Sequence, residues 1–313
     1  MPHPPATLSP ASAPVARAPW IVAAVRWGLY PTLVFGLLAV YLAAKHGAWA
    51  LGPALMGYSV ARVLLLLAAE RLAPARQEWA MTWRSFRRDL KFGGINLLTL
   101  VAVKKGTALL AIDASRFNLG LLGGASVWLE VLVLLLVYEF FQYGVHRIAH
   151  EGRGRLGGFL WRVHAAHHLP QGVYVLMHGV GHPINVLLVA AINLPLVLLG
   201  ASPGALFFFN ALVGVQGLVS HLNADVRVGP LNYLLVGTEL HRYHHSADVS
   251  EACNFGVVTP FWDLVFGTFV YRPGRLPAKL GVAQPQRYPL SEDVWKVMAL
   301  PFRGPRRNRK RTE

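Results

Sequence analysis

Three short histidine motifs give this sequence its clearest chemical signal. One has the pattern H-x3-H, in "HRIAH", and two have the pattern H-x2-H-H, in "HAAHH" and "HRYHH". Residues three or four apart share one face of a helix, so each motif can aim its imidazoles at one point. Adjacent histidines point about 100° apart, so one of each pair can face a second point. The spacing therefore predicts ligands for two neighbouring metal ions: His146, His150, His164, His167, His168, His241, His244 and His245.

A purely structural interpretation, in which these histidines are ordinary core residues, is weaker than the metal-ligand interpretation. A lone buried histidine such as His178 is more often hydrogen-bonded packing than a ligand. Eight buried imidazoles without a metal, however, would leave many ring nitrogens in need of partners. The residue types leave zinc, iron, copper and nickel open. Structural zinc takes four ligands, commonly with thiolates, and Cys253 is the only cysteine, so a two-metal site is favoured.

Long apolar stretches predict an integral membrane protein. Hydrophobic residues make up 54% of the chain and charged residues only 14%. Residues 28–44 carry no charge, 50–69 carry one and 126–145 carry two, and each stretch approaches the ~20 residues that cross a bilayer. The stretch 92–112 is a weaker candidate because Lys104 and Lys105 lie in its middle, where charge is costly.

Basic residues indicate how the chain is oriented in the membrane. They concentrate in the loop 71–91, in 147–162 and in the tail from Phe302. The positive-inside rule then places both termini, this loop and the histidine region on the cytoplasmic side, at the plasma or inner membrane if the source is bacterial. The formal net charge of +15 predicts attraction to anionic membrane lipids. No aromatic-interleaved basic motif occurs, so no nucleic-acid partner is expected.

These observations predict an all-α integral membrane protein with two transmembrane helical hairpins and a cytoplasmic histidine-rich helical cap. The stretch 184–219 is apolar but interrupted by Asn and Pro residues, so it is either a third hairpin or a shallow re-entrant pair. The first span lacks a cleavage signature, and we expect it to be retained. The predicted segments are a disordered N-terminal tail at 1–19, membrane helices at 20–125, a histidine-rich domain at 126–275 and a basic C-terminal tail at 276–313.

The motifs and their surroundings resemble the sterol desaturase/fatty acid hydroxylase superfamily of integral-membrane, histidine-rich di-iron oxygenases. "DVRVGPLNYLLVGTELHRYHHSAD" followed by "NFGVVTPFWDLVFGTF" is similar to the family signature in which G-P-L precedes H-R-x-H-H and N-Y-G precedes W-D-x-x-F-G-T. "YEFFQYGVHRIAH" is similar to D-x-x-x-Y-x-x-H-R-x-x-H. The resemblance covers roughly 125–270 and implies that 126–275 is a catalytic domain like those of fatty acid hydroxylases and sterol desaturases. Glu139 stands where the family usually has Asp, and "NFG" stands for N-Y-G.

The resemblance implies a function and a fuller ligand set. The reaction is O2-dependent hydroxylation or desaturation of a C–H bond in a lipid (a sterol, fatty acyl or related lipid) taken from the bilayer, with two iron ions as cofactor. Family spacing adds His182, which follows "HAAHH" after thirteen residues, and His221, twenty residues before the last triplet. No flavin or haem motif is present, so electrons must come from a separate donor such as a cytochrome b5-like protein, a ferredoxin or a reductase. The basic residues predicted on the cytoplasmic side would attract an acidic donor protein.

Alternatives remain open for other residues and for the function. Several polar residues either hold a ligand ring by hydrogen bonds or serve as caps and interfacial anchors. His178 either supports a ligand ring or lines the substrate path. A histidine-rich membrane protein that binds or transports metal without oxygenase activity is the main alternative function, and a zinc hydrolase is another. The residues with open supporting roles are His178, Glu139, Tyr143, Asp225, Glu239, Asn254 and Asp263.

Overall fold

The computed structural model describes residues 18–109 and 119–303. Within these residues the chain is all helical and forms no β-strand, as predicted. Most of the predicted N-terminal tail (1–19) and residues 304–313 of the C-terminal tail lie outside the described residues. The α-helices are α1 (Pro19–Lys45), α2 (Leu51–Leu72), α3 (Trp83–Leu109), α4 (Val127–Glu151), α5 (Gly154–His168), α6 (Pro183–Leu198), α7 (Pro203–Ser220), α8 (Thr238–His244), α9 (Phe261–Phe266) and α10 (Val294–Met298).

Four helices are long and apolar enough to cross a membrane: α1, α2, α4 and α7. Three of them coincide with stretches predicted to span from the sequence. The fourth predicted span, at 92–112, falls mostly in α3. This helix begins in a charged segment and is not among the four candidates found in the described residues. The additional candidate is α7, from the stretch predicted as a third hairpin or re-entrant pair. The number of hairpins stays a prediction.

Two apolar clusters divide the molecule into a helical bundle and a cap. The bundle core joins α1, α2, α4 and α7, with Leu37, Leu134 and Phe209 among its buried members. Tyr30 in α1 donates a hydrogen bond to Gln216 in α7 at 2.9 Å, which satisfies two polar groups within this core. The cap core is built around Phe92 and other residues from α3, the segment after α5 and the C-terminal helix α10. The histidine motifs lie where bundle and cap meet.

Two glycines reverse the chain between α4 and α5. Gly152 ends α4 at φ 61°, and Gly154 begins α5 at φ 66°; this left-handed region is costly for residues with a Cβ. A Cβ at Gly157 would lie 3.0 Å from the backbone carbon of Gly152, so the turn is tightly closed. The reversal packs α5 against the end of α4 and brings the H-x3-H motif beside the first H-x2-H-H motif.

Candidate metal centre

Nine histidines converge in two adjacent groups where α4, α5, α7 and α8 end. In each group, every residue offers one ring nitrogen, and these nitrogens all lie within 4.8 Å of one another. The adjacent pairs His167/His168 and His244/His245 are split between the groups, as the 100° step of a helix requires. We call these the five-histidine group (His146, His150, His164, His168 and His244) and the four-histidine group (His167, His221, His241 and His245).

Ring nitrogens in both groups face one another at short range. In the five-histidine group, Nε2 of His164 lies 2.9 Å from Nε2 of both His146 and His168. In the four-histidine group, Nε2 of His221 lies 2.9 Å from that of His167 and 3.0 Å from that of His241. Two nitrogens that bind one ion at right angles with bonds of about 2.1 Å are roughly 3 Å apart. The spacing therefore fits ligands that share an ion.

Backbone carbonyls fix the other nitrogen of several rings. Nδ1 of His146 donates to the carbonyl of Phe255 at 2.7 Å, and Nδ1 of His167 donates to that of Val180 at 2.8 Å. Nδ1 of His221 donates to the carbonyl of Gly217 at 2.8 Å. A ring whose Nδ1 carries the proton presents the Nε2 lone pair, which is the state that a metal ligand requires.

Burial keeps the histidines of α5, α7 and α8 neutral. It lowers the pKa of His167 to about 4, although the Val180 carbonyl opposes this shift. For six others, burial and the charge of neighbouring histidines hold the pKa well below 6.5, so their lone pairs are free at neutral pH. These six are His164, His168, His221, His241, His244 and His245.

Several buried ring nitrogens lack a partner among the described residues. They include Nε2 of His150 and of His244 in the five-histidine group, and Nδ1 of His241 in the four-histidine group. An unsatisfied buried polar group costs roughly 1–3 kcal/mol. A metal ion in the five-histidine group would satisfy both of its Nε2 atoms. The all-imidazole donor set suits iron, zinc or copper, so the residues fit a bound transition metal.

Comparisons with known proteins agree with the histidine pattern. The profile of the fatty acid hydroxylase family matches residues 131–268, a range that contains both histidine groups. A curated relative, "Ornithine lipid hydroxylase OlsE" of Rhizobium tropici, is 28% identical over 273 residues, covering 84% of this chain and 80% of that protein. Residues 131–268 therefore resemble the fatty acid hydroxylase family, and most of the chain is similar to a lipid hydroxylase. This confirms the resemblance seen in the sequence. No solved structure matches the chain significantly.

Glu139 and Asp263 hold the loop that follows Asn254. The buried carboxylate of Glu139 accepts backbone N–H groups of Val257 and Val258 at 3.0 and 2.6 Å. Asp263 accepts the N–H of Phe255 at 2.8 Å. Phe255 in turn offers its carbonyl to His146. Asp263 therefore positions His146 through the loop rather than by touching the ring.

Other residues with open supporting roles also bind backbone or loops. Asn254 is held at φ 61° and bonds the backbone of Leu240 and Val270. Glu239 accepts the Val228 N–H at 2.8 Å, and the amide group of Asn232 also donates to it at 2.8 Å.

Two more of these residues lie nearer the bundle. Asp225 pairs with Arg26 of α1 and with Arg227. Tyr143 bonds Thr268 at 3.0 Å. None of these contacts involves an imidazole.

His182 is not brought into either group. Its Nε2 donates to the Met298 carbonyl at 3.0 Å, and its Nδ1 accepts the Ile184 N–H at 3.1 Å. Pro183 begins α6 directly after it, so the side chain caps the helix. Its role as a ligand stays a prediction, and no contact of its ring supports that role. His221, in contrast, lies within the four-histidine group.

His178 lies at the edge of the four-histidine group. Its side chain is exposed, although its ring centroid is 5.1 Å from that of His221. A Cβ at Gly217 would come within 2.6 Å of the His178 ring, so the ring packs flush against α7. The position fits a residue that lines the approach to the centre, which is one of the two roles expected from the sequence.

Two charged residues near the centre have partners that the sequence did not indicate. Glu70 of α2 accepts the backbone N–H groups of Val175 and Asn223, both at 2.8 Å, and so ties together the segments that carry His178 and His221. Arg242 is buried and donates to the carbonyls of Leu222 and Ala224. Arg242 belongs to the H-R-x-H-H motif, but no motif marks Glu70, and the backbone partners of both residues are distant in sequence.

We expect Asp263→Asn to weaken iron binding. The amide would place N–H groups against the backbone N–H groups that the carboxylate now accepts, and the Phe255 carbonyl would shift away from His146. Loss of a residue behind a metal ligand typically costs 10- to 100-fold in metal affinity. Titration with ferrous iron measures this. Asp248→Asn is the matched control, because the Asp248 side chain is exposed and bonds only Ser250. Full iron affinity in Asp263→Asn would contradict the positioning role.

Proposed function

We propose that this protein is a membrane-bound lipid hydroxylase with one iron ion in each histidine group. The observation that carries the proposal is the division of nine histidines into two adjacent groups within 131–268. The description of the matched family and the name of the relative both favour hydroxylation over desaturation. The relative from Rhizobium tropici is a hydroxylase of ornithine lipid by its name, so we take a polar lipid of this kind as the first substrate to test.

The spacing of the ring nitrogens favours iron over zinc. Tetrahedral zinc ligands with bonds of about 2.1 Å would lie roughly 3.4 Å apart. Six Nε2 pairs within the two groups lie closer than this, including His241 and His245 at 3.1 Å, which suits the right angles of higher coordination numbers. Five histidines in one group also exceed the four ligands of a structural zinc site.

The reaction needs O2 and two electrons. One oxygen atom enters the lipid C–H bond as a hydroxyl group, and the other leaves as water with two protons. The bound iron ions would supply the reduction of O2. The chain itself keeps the ligand rings neutral and positions the lipid. A cavity of about 430 Å³ reaches the five-histidine group, where His150, His168 and His244 form part of its wall. Beside this wall the cavity can hold the reacting part of a lipid.

The proposal includes the membrane orientation and the segment boundaries. We place the histidine groups, both termini and the 71–91 loop on the cytoplasmic side, with the catalytic domain at 126–275 and membrane helices at 20–125. The basic tail at 276–313 would contact anionic headgroups. The electrons come from a separate donor protein.

Product analysis tests the proposal. Iron-loaded protein in nanodiscs is supplied with ornithine lipid, O2 and a chemical reductant, and the lipid is analysed by mass spectrometry. We expect a gain of one oxygen atom that depends on both iron and O2. Loss of two hydrogens would indicate desaturation. If the protein binds iron but yields no oxidised lipid, a metal-binding function would be favoured.

Reporter fusions test the orientation. Reporters placed after Arg88 and after Arg311 should both report the cytoplasm, because basic residues concentrate around these positions. A reporter after Gly47, between α1 and α2, should report the opposite side. Opposite results for Arg88 and Arg311 would contradict the arrangement.

A further inference from the structure

A basic surface lies close to the five-histidine group. It surrounds a cavity of about 340 Å³ whose lining includes Arg162, Arg287, Lys296 and Arg303. We call these four residues the basic surface. Among the described residues, this lining contains one acidic residue, Asp293, which pairs with Lys296 at 2.8 Å. The surface therefore keeps a clear positive excess, and three of its four basic side chains are exposed.

A hydrogen-bonded aromatic pair connects this surface to the metal centre. Nε1 of Trp161 donates to the hydroxyl of Tyr288 at 2.7 Å. Both side chains line the 340 Å³ cavity and also the 430 Å³ cavity that reaches the five-histidine group. The ring centroid of Trp161 lies 5.3 Å from that of His150 and 5.9 Å from that of His168. The pair thus extends from the basic surface to two candidate iron ligands.

We propose that the basic surface docks an acidic one-electron donor protein, and that Trp161 and Tyr288 form the route of the electron to the five-histidine group. The inference rests on the proposed function. In each encounter the donor loses one electron and the iron centre gains it, so two encounters supply one hydroxylation. Neither ring is oxidised, since the pair serves only as a bridge. Charge complementarity steers such encounters. An anionic membrane would match the charge but would have no use for a bridge to the metal.

Binding measurements test the docking surface. The probe is an acidic [2Fe–2S] ferredoxin, and the iron-loaded protein is held in phosphatidylcholine nanodiscs, which carry no net charge. Arg287→Glu and Lys296→Glu should each raise the ferredoxin Kd about tenfold at low salt, with the difference shrinking at high salt. Arg275→Glu reverses the same kind of exposed charge outside the surface and should leave the Kd unchanged. Absence of ferredoxin binding would overturn the docking proposal. So would variants that bind ferredoxin normally and lose only their binding to phosphatidylglycerol vesicles.

Reduction kinetics test the route. Tyr288→Phe keeps the ring but removes the hydroxyl that Trp161 binds, so iron reduction by ferredoxin should be roughly tenfold slower at unchanged Kd. Reduction by dithionite, which is small enough to enter the 430 Å³ cavity, should keep its rate. Trp161→Leu should show the same pattern with full iron content. Unchanged ferredoxin-driven rates in both variants would overturn the route. Neither readout requires lipid turnover, so a protein that is reduced normally but yields no hydroxylated lipid would refute only the proposed function.

Discussion

Replacing His244 or His245 by alanine is expected to abolish hydroxylation and to remove one iron ion, a different one in each variant. The two residues are adjacent in sequence, yet His244 belongs to the five-histidine group and His245 to the four-histidine group. Loss of a residue that hydrogen-bonds a metal ligand already lowers metal affinity or activity by 10- to 100-fold. We therefore expect turnover to fall by more than about 100-fold when a ligand itself is lost.

Iron content and spectroscopy separate the two variants. Each should bind about one ion instead of two, and the iron-57 Mössbauer spectra of the two variants should differ because the remaining ligand groups differ. His46→Ala is the control, since His46 is exposed and lies outside both groups. Full turnover in either variant, or identical loss of both ions in both, would contradict two separable sites.

The metal-free protein is expected to lose stability as the pH falls below about 6.5. Burial lowers the folded-state pKa of His167 to about 4 and holds that of six other histidines well below 6.5. The unfolded chain therefore binds more protons than the folded chain below pH 6.5, and the free energy of unfolding decreases with acidification. Each such histidine contributes at most about 1.4 kcal/mol per pH unit. Together they make the expected slope steep.

Thermal unfolding of metal-free protein in detergent checks this expectation. Its Tm should fall between pH 7.5 and 5.5. His167→Gln removes one of the titrating groups and should make the slope shallower. A Tm that stays constant over this range would show that the histidines are not held neutral by burial.

Helical spacing explains why the histidine motifs could be found from the sequence. His164, His167 and His168 lie on a single helix, and the 100° step decides which of them share a group. The meeting of the motifs depends on contacts between distant segments, which spacing does not encode. Motif spacing did not include the isolated histidines His182 and His221, and family resemblance predicted both as ligands. His221 lies in the four-histidine group, whereas the His182 side chain caps α6.

Charged residues show where sequence reasoning fails. Glu70 bonds a backbone group more than a hundred residues away, so nothing local distinguishes it from a surface charge. Arg242 lies in the H-R-x-H-H motif, but the motif does not reveal its bond to the carbonyl of Leu222, about twenty residues away. The stretch at 92–112 was the weaker predicted span because Lys104 and Lys105 lie in its middle. Most of it lies in α3, which also carries basic residues near Trp83, and residues 110–112 lie outside the described residues, so this span stays a prediction.

The central claim is that two iron ions occupy the two histidine groups, and Mössbauer spectroscopy tests it most directly. Metal-free protein is titrated anaerobically with ferrous iron-57 in nanodiscs and is then exposed to O2. The account predicts saturation at two ions per chain and, after oxidation, the spectrum of a magnetically coupled pair. Saturation at one ion, or two ions without magnetic coupling, would contradict it.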